Sequence, residues 1–563
     1  MVNLKNVYRP RIRHIFWKGG YDKSTFVSDL IAGIIVGIIA LPLAIAFGIA
    51  SGVSPQQGLI TAIIAGFLIS LLGGTRFLIG GPTGAFIVIV AGIIAKYGIS
   101  GLTIATILAG VFLIIMGVCK LGVIFKFIPY PIVVGFTSGI ALTIFSTQMK
   151  DFFGFTMDVP AGFIQKWICY FSNLGNINWI EAAVSFGCLV IAILWNRRFK
   201  KIPGSLIVLI VGTGISLILK NCFGIQLATI GTKFPELAGG MAFPKPSMPE
   251  ISLSSLKELV SPAFTIAILC AIESLLAAMV TDGVTGRKHN ANTELIGEGI
   301  ANIITPLFGG IPATGAIART MANINNGGKS PVAGLIHAVV LLLIYLFLMP
   351  LIKYIPMPCL AGILVVVSYN MSGWRSFAAI FSNPKSDIIV LMVTFLLTVI
   401  FDLTIAIEVG VLIACLLCMK RMAETTNISV ISDEIDPTAD TDVMGNLEHL
   451  VIPEGVKVYE INGPYFFGIA NRFEEIMSDM GGHPKVRIIR MRKVPFIDST
   501  GIHNLTNMCA MCRQMGVQVV LSGVNERVMK VVSDSGLADV LGNENICSHI
   551  NQALKRAEAI VAE

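Results

Sequence analysis

The chain has 563 residues, 54% of them hydrophobic and only 13% charged, with a mean hydropathy of +0.79. Soluble domains carry about 25% charged residues, so this composition excludes a wholly soluble protein and places most of the chain in lipid. The formal net charge of +7 comes from basic residues dispersed at the ends of apolar runs, without a basic stripe interleaved with aromatics, which excludes nucleic acid as a partner.

Residues 1–25 are polar and hold Lys5, Arg9, Arg11, Arg13 and Lys18, which reads as a cytoplasmic segment by the positive-inside rule, with no cleavable signal pattern. Apolar segments follow at about 26–50, 56–73, 82–96, 101–119, 123–150, 178–196 and 203–220. A polar stretch, roughly 221–258, separates them from a second set at about 260–281, 292–308, 314–325, 330–349, 351–371, 386–400 and 403–420. Seven plus seven crossings put both termini on one side. Arg197, Arg198, Lys200 and Lys201 after crossing 6, Arg287 and Lys288 after crossing 8, and Lys420 and Arg421 after the last all fall on the cytoplasmic side in that count. The loop after crossing 1, Ser51–Gly58, has no Lys or Arg and falls outside.

Two strings interrupt the apolar segments. Gly80-Gly81-Pro82-Thr83-Gly84-Ala85-Phe86 breaks the first half, and Gly309-Gly310-Ile311-Pro312-Ala313-Thr314-Gly315-Ala316 breaks the second, with Arg319 following. Broken helices at membrane depth are tolerated only where protein or a water-filled cavity satisfies the backbone. Paired breaks in two halves point to a transporter's midplane site. The repeat extends upstream, because Gly73-Gly74 answers Gly309-Gly310, and Pro42 precedes Gly84 by the same 42 residues that separate Glu273 from Gly315. Helix starts at the two breaks predict free amide donors at Thr83–Ala85 and Thr314–Ala316, suited to an anion. Arg319 adds a full charge, functional by default inside a bilayer. It serves as anion ligand or as counter-ion to Glu273, the lone mid-crossing acid. Asp282, Glu294, Glu298 and Glu408 read as helix-end or gate-packing residues, and His337 as a satisfied interior histidine.

After Arg421 the composition turns polar. Residues 423–450, with Asp433, Glu434, Asp436, Asp440 and Asp442, read as an acidic linker. Beyond it, strands at Val456–Ile461, Val486–Met491 and Val517–Leu521 alternate with helices at Asn471–Met480, Gly501–Met515 and Asn525–Ser535, a small α/β domain over 451–563. Its turn Phe496-Ile497-Asp498-Ser499-Thr500-Gly501 offers a helix cap, and Ser499 and Thr500 are candidate regulatory positions. The 11 cysteines are scattered, several inside apolar runs. The Cys-x-x-Cys pairs Cys415/Cys418 and Cys509/Cys512 lack partners at zinc spacing, so neither metal nor cofactor is assigned. No Walker A, HExxH or nucleophile elbow is present, and an enzyme is not expected.

Taken together, Ala40-Leu41-Pro42, Gly81-Pro82-Thr83-Gly84, Ile272-Glu273-Ser274-Leu275-Leu276, Thr314-Gly315-Ala316-Ile317-Ala318-Arg319-Thr320 and Asp498-Ser499-Thr500-Gly501 resemble an anion transporter of the SulP (sulfate permease) family with a C-terminal STAS domain. The resemblance implies an α-helical polytopic fold, a 7+7 inverted repeat with half-helices at crossings 3 and 10, and a core that moves against a gate. It also implies a homodimer in the plasma membrane with cytoplasmic STAS domains. The expected anion-binding residues are Thr83, Gly84, Ala85, Phe86, Ala313, Thr314, Gly315, Ala316 and Arg319, with Glu273 for ion coupling. Sodium-coupled bicarbonate relatives carry Asp at that acid with Thr one turn later; here the pair is Glu273 and Ala277, which favours a proton or simple exchange over sodium. Sulfate is the first substrate expected, ahead of bicarbonate or a dicarboxylate. An exchanger, a channel and a nucleobase-type permease are the alternatives, the last disfavoured by the STAS-like domain and Arg319.

Overall fold

The computed structural model describes residues 8–17, 21–160, 162–199, 204–235, 243–249, 253–401, 403–431, 434–435, 450–469 and 484–563. The helix predicted at Asn471–Met480 and most of the acidic segment lie outside them. The chain divides into two compact units, Met1–Leu412 and Ile413–Glu563.

The first unit is helical. Its crossings are Lys23–Ala50 (1), Pro55–Leu72 (2), Ile87–Val118 broken at Gly98 (3 and 4), Tyr130–Phe153 (5), Trp179–Arg198 (6) and Gly204–Phe223 (7). The second set is Leu253–Thr285 (8), Ala291–Ile304 (9), Ile317–Asn325 (10), Val332–Ile352 (11), Met357–Met371 (12), Lys385–Ile400 (13) and Leu403–Thr425 (14), the last running into the second unit. Among the described residues, eight helices are long and apolar enough to span a membrane. The nine residues of crossing 10 are too short to span a hydrocarbon core about 30 Å thick, so it is a half-helix.

Local chemistry sets the ends. Asp22 caps crossing 1 by accepting from Thr25 N at 2.9 Å. Ser54 and Gln57 form a reciprocal capping box at crossing 2, with Pro55 in the first turn, where its missing N–H costs nothing. Crossing 5 starts at Tyr130, later than the apolar run beginning at 123, because Pro129 and Pro131 reset the backbone. Crossing 8 starts at Leu253, inside the polar stretch expected to separate the two sets of apolar segments. Four short helices of this unit had no sequence expectation: Arg11–Trp17, Phe163–Ser172, with Lys166 and Tyr170 buried, Ile230–Lys233 and Trp374–Ile380.

The crossings pack as two bundles. Crossings 1–4 pair with 8, 9, 10 and 11, while 5, 6 and 7 pair with 12 and 13. Without a hydrophobic driving force between helices in lipid, close backbone approach carries much of the association. Gly110 on crossing 4 and Gly299 on crossing 9 face each other; a Cβ on either would lie 2.5–2.6 Å from the other's carbonyl oxygen.

The second unit is a five-stranded sheet. Its strands are β1 (Asn427–Ile431), β2 (Val456–Asn462), β3 (Val486–Arg490), β4 (Gln518–Ser522) and β5 (Ile546–Cys547), in that spatial order; β1 is antiparallel and the rest are parallel. Alternate residues feed two cores: Tyr459, Ile461, Ile489 and Leu521 face the helices Ser499–Gln514 and Glu526–Asp534, and Val458, Ile488 and Val520 face Ile550–Ala562. β3 is buried along its whole length, as a central parallel strand should be. Burial pushes the Cys509 thiol up to about 12 and raises Cys512 despite the adjacent Arg487, whose Nη1 donates to the Cys512 Sγ at 3.6 Å.

β1 lies in the stretch read as linker, and it covers the edge of β2. A fragment 426–563 is therefore expected to unfold cooperatively and to melt about 5 °C or more above a fragment 451–563, a difference of roughly 1 kcal/mol. Equal melting temperatures of the two, by circular dichroism, would make β1 dispensable.

Candidate functional site

The two broken segments meet. Gly80–Gly81 and Thr314–Gly315 are extended and pair antiparallel, Gly80 opposite Gly315 and Gly81 opposite Thr314. Ala316 N donates to Ile79 O at 2.9 Å, and Ile79 N donates to Thr320 Oγ1 at 3.1 Å. Pro82 and Pro312 flank the pair, where no amide is available to continue a ladder or a helix. From this ladder one helix departs at Gly84, first as a short 3-10 turn over Gly84–Phe86, and the other at Ile317. Because the strands are antiparallel, the chain leaves this two-residue ladder at opposite ends, and the two half-helices start on opposite sides of it.

Amide bookkeeping separates the two starts. Gly315 N donates to Ser274 Oγ at 2.7 Å, and Ala313 N to Asn302 Oδ1 at 2.9 Å. With Ala316 bound to Ile79, the donors expected free at Thr314–Ala316 are largely committed inside the protein. The first helical bond of crossing 10 is Thr320 N to Ala316 O at 2.9 Å, so the first-turn amides of Ile317, Ala318 and Arg319 are the ones without an intrahelical carbonyl. Ile317 is 42% exposed and Ala318 is exposed too, whereas Ala313–Gly315 are buried. On the other side, Thr83, Gly84, Ala85 and Phe86 are all buried. Around Gly84, a Cβ would meet Met371 Sδ at 3.0 Å, Ile144 Cδ1 at 3.1 Å and Phe47 Cε1 at 3.3 Å, so crossings 12, 5 and 1 close over this start. At Gly315 a Cβ would lie 2.6 Å from Leu78 Cδ2; that glycine is required by the packing of the opposite break.

Glu273 and Arg319 engage the first break from different sides. Thr83 makes no cap bond to its own helix; its Oγ1 donates to Glu273 Oε2 at 2.8 Å, and Glu273 is half-buried. Arg319, 1% exposed, donates Nη1 to Gly80 O at 3.3 Å and Nη2 to Pro82 O. These are carbonyls that the break strips of helical partners. No salt bridge joins Glu273 to Arg319 among the described residues. A Cβ on Gly81, whose φ is 149°, would overlap Arg319 Nη1.

Two buried acids received too small a place in the sequence reading. Glu294, in the first turn of crossing 9, accepts from Gly74 N at 2.8 Å and Thr75 Oγ1 at 2.5 Å, tying that helix to the turn after crossing 2. Glu298, mid-helix and 0% exposed, accepts from Ser274 Oγ at 2.7 Å. Its one sequence signal is the four-residue spacing from Glu294, which puts both on one helix face. Asp282 pairs with His289 at 2.7 Å, Glu408 is exposed, and His337 is buried. In the second unit Asp498 caps Ser499–Gln514, accepting from Gly501 N at 2.7 Å and Phe467 N at 3.2 Å, and leaves Ser499 and Thr500 exposed.

Residues 26–394 match the sulfate permease family and residues 449–553 match the STAS domain. YvdB of Bacillus subtilis (strain 168), which carries a sulfate-transporter name, is 39% identical over 532 residues, 94% of this chain and 97% of that one. The bicarbonate transporter BicA of Picosynechococcus sp. is 33% identical over 442 residues, 76% of each chain. The murine Slc26a9 anion transporter, solved in its inward-facing state, superposes with a TM-score of 0.86 over 99% of this chain and 94% of that one, at 21% identity. That likeness concerns the fold.

Proposed function

The chain belongs to the sulfate permease family, and on that footing we propose that it is a secondary active transporter carrying small anions between the two half-helix starts. Sulfate is the first substrate and bicarbonate the next, in keeping with the names its relatives carry, with a dicarboxylate as a further candidate. The observation that carries this reading is the antiparallel pairing of Gly80–Gly81 with Thr314–Gly315, which sets the two helix N-termini on opposite sides of one short ladder. Their dipole ends add there, each favouring an anion by a few tenths to about 1 kcal/mol at an exposed site.

Coupling runs through Glu273. Its carboxylate takes the Thr83 hydroxyl at the crossing-3 start, so an ionised Glu273 places its own negative charge where the anion must come. Protonation removes that charge, and anion and proton then enter together. Transport proceeds as the bundle of crossings 1–4 and 8–11 slides against that of 5–7, 12 and 13 in an elevator-like movement, in a homodimer with both termini on the cytoplasmic face of the plasma membrane.

The experiment is uptake of a panel of labelled anions into proteoliposomes under imposed pH or sodium gradients. Saturable uptake of sulfate, accelerated by an inward proton gradient and indifferent to sodium, is expected. Flux that does not saturate, or that follows sodium alone, would overturn the carrier or the coupling respectively.

A further inference from the structure

The second break is held by a relay that no anion needs to touch. Ser274 is fully buried on crossing 8, and its Oγ makes three short contacts: it donates to Glu298 Oε1 at 2.7 Å, accepts from Gly315 N at 2.7 Å and lies 2.7 Å from Thr314 Oγ1. A serine hydroxyl has one proton and two lone pairs. With the proton given to Glu298 and one lone pair taken by the Gly315 amide, the remaining lone pair accepts from Thr314, whose single hydroxyl proton is shared with Cys270 O at 3.2 Å. The order therefore runs Thr314 to Ser274 to Glu298, and it ends on the one side chain of the three that can serve as acceptor alone. The order holds whether Glu298 is ionised or carries a proton on Oε2, which has no partner. Glu294 on the same helix and Glu273 and Cys270 on crossing 8 are the other titratable groups nearby.

We propose that Glu298 is a positioning residue for anion binding: through Ser274 it turns the Thr314 hydroxyl and the Gly315 amide inward and fixes the second break, so that the first-turn amides of crossing 10 face the anion. The inference rests on the placement of the anion between the breaks. It explains a serine directly after Glu273 facing the opposite way into the bundle. Glu273 contacts the first break, Ser274 the second, and adjacent residues of one helix thus hold both.

The test combines transport kinetics with amide exchange on the full chain. Glu298→Ala and Ser274→Ala should each raise the KM for sulfate about tenfold, with Vmax within about twofold, because the hydrogen-bonded relay that fixes the second break is lost. Glu298→Gln retains an acceptor oxygen and should stay within about threefold of the parent. The double variant should be no worse than Ser274→Ala alone, since both substitutions break the same chain of bonds. Hydrogen exchange of the peptide spanning 311–320 should rise in Glu298→Ala and not in Glu298→Gln. Additive effects on KM, unchanged exchange in Glu298→Ala, or a Gln variant as impaired as the Ala variant would each overturn the proposal. Raised exchange with KM unchanged in every variant would keep the relay and reject the placement of the anion. Should Glu298→Ala fail to insert, Ser274→Ala and Glu298→Gln carry the same comparison.

Discussion

Glu273→Gln should abolish proton-driven accumulation while leaving a folded protein that still exchanges anion for anion. The carboxylate Oε2 lies 2.8 Å from the Thr83 hydroxyl, at the start of crossing 3. Glutamine keeps the acceptor oxygen and nearly the same volume, so the contact with Thr83 survives. What it removes is the change of charge. Each pH unit across the membrane is worth about 1.4 kcal/mol, or tenfold accumulation per proton carried. A carrier that no longer binds the proton should fall to an accumulation ratio near one, whatever the imposed gradient. Exchange should persist and become independent of pH, because the site is then permanently in its neutral form. The measurement is labelled-sulfate accumulation at two imposed gradients, with counterflow as the control for folding. Normal accumulation in the Gln variant would move the coupled proton to another group or remove it.

The membrane architecture was legible in the sequence because its rules are local. Apolar runs of the right length, ended by prolines and capping residues, locate the crossings, and Pro82 and Pro312 with their glycines locate the breaks. The hydrogen-bond economy inside the site was not legible. Gly315 donates to a serine 41 residues away, and Arg319 reaches carbonyls more than 230 residues earlier. No local pattern reports which donor a tertiary neighbour will take. The free amides accordingly begin at Ile317, later than a helix-start rule applied to Thr314 places them. Glu298, read as a helix-end or gate-packing acid, kept its role hidden for the same reason, since an acid in the middle of crossing 9 acquires its meaning from Ser274. In the α/β unit, β1 was hidden because its neighbours are acidic, although Ile428, Val430 and Ile431 alternate or pack against the two cores as an edge strand requires.

Arg319→Ala should weaken sulfate binding by about 1.5–3 kcal/mol, roughly 10- to 150-fold, the scale of a hydrogen bond to a charged group. The guanidinium spans Gly80 O and Pro82 O, which leaves its positive charge buried beside the first break and the carbonyls satisfied. A lysine has one nitrogen where arginine offers a planar fork, so Arg319→Lys should not restore affinity. Gly81→Ala is the sharper probe. A methyl group there lands on Nη1, so the variant should displace the guanidinium and reproduce the loss without touching a charge. In the Arg319→Ala background the same methyl meets no guanidinium, and Gly81→Ala should then cost only what its backbone angle demands. If Arg319 acted chiefly as counter-ion to Glu273, Glu273→Gln would rescue Arg319→Ala by removing the uncompensated charge. If it braces the break, no rescue occurs, because the carbonyls of Gly80 and Pro82 remain bare. Equilibrium binding of sulfate to the purified single and double variants decides between the two. Parental affinity in Gly81→Ala would mean that the bond to Gly80 O contributes nothing to the site.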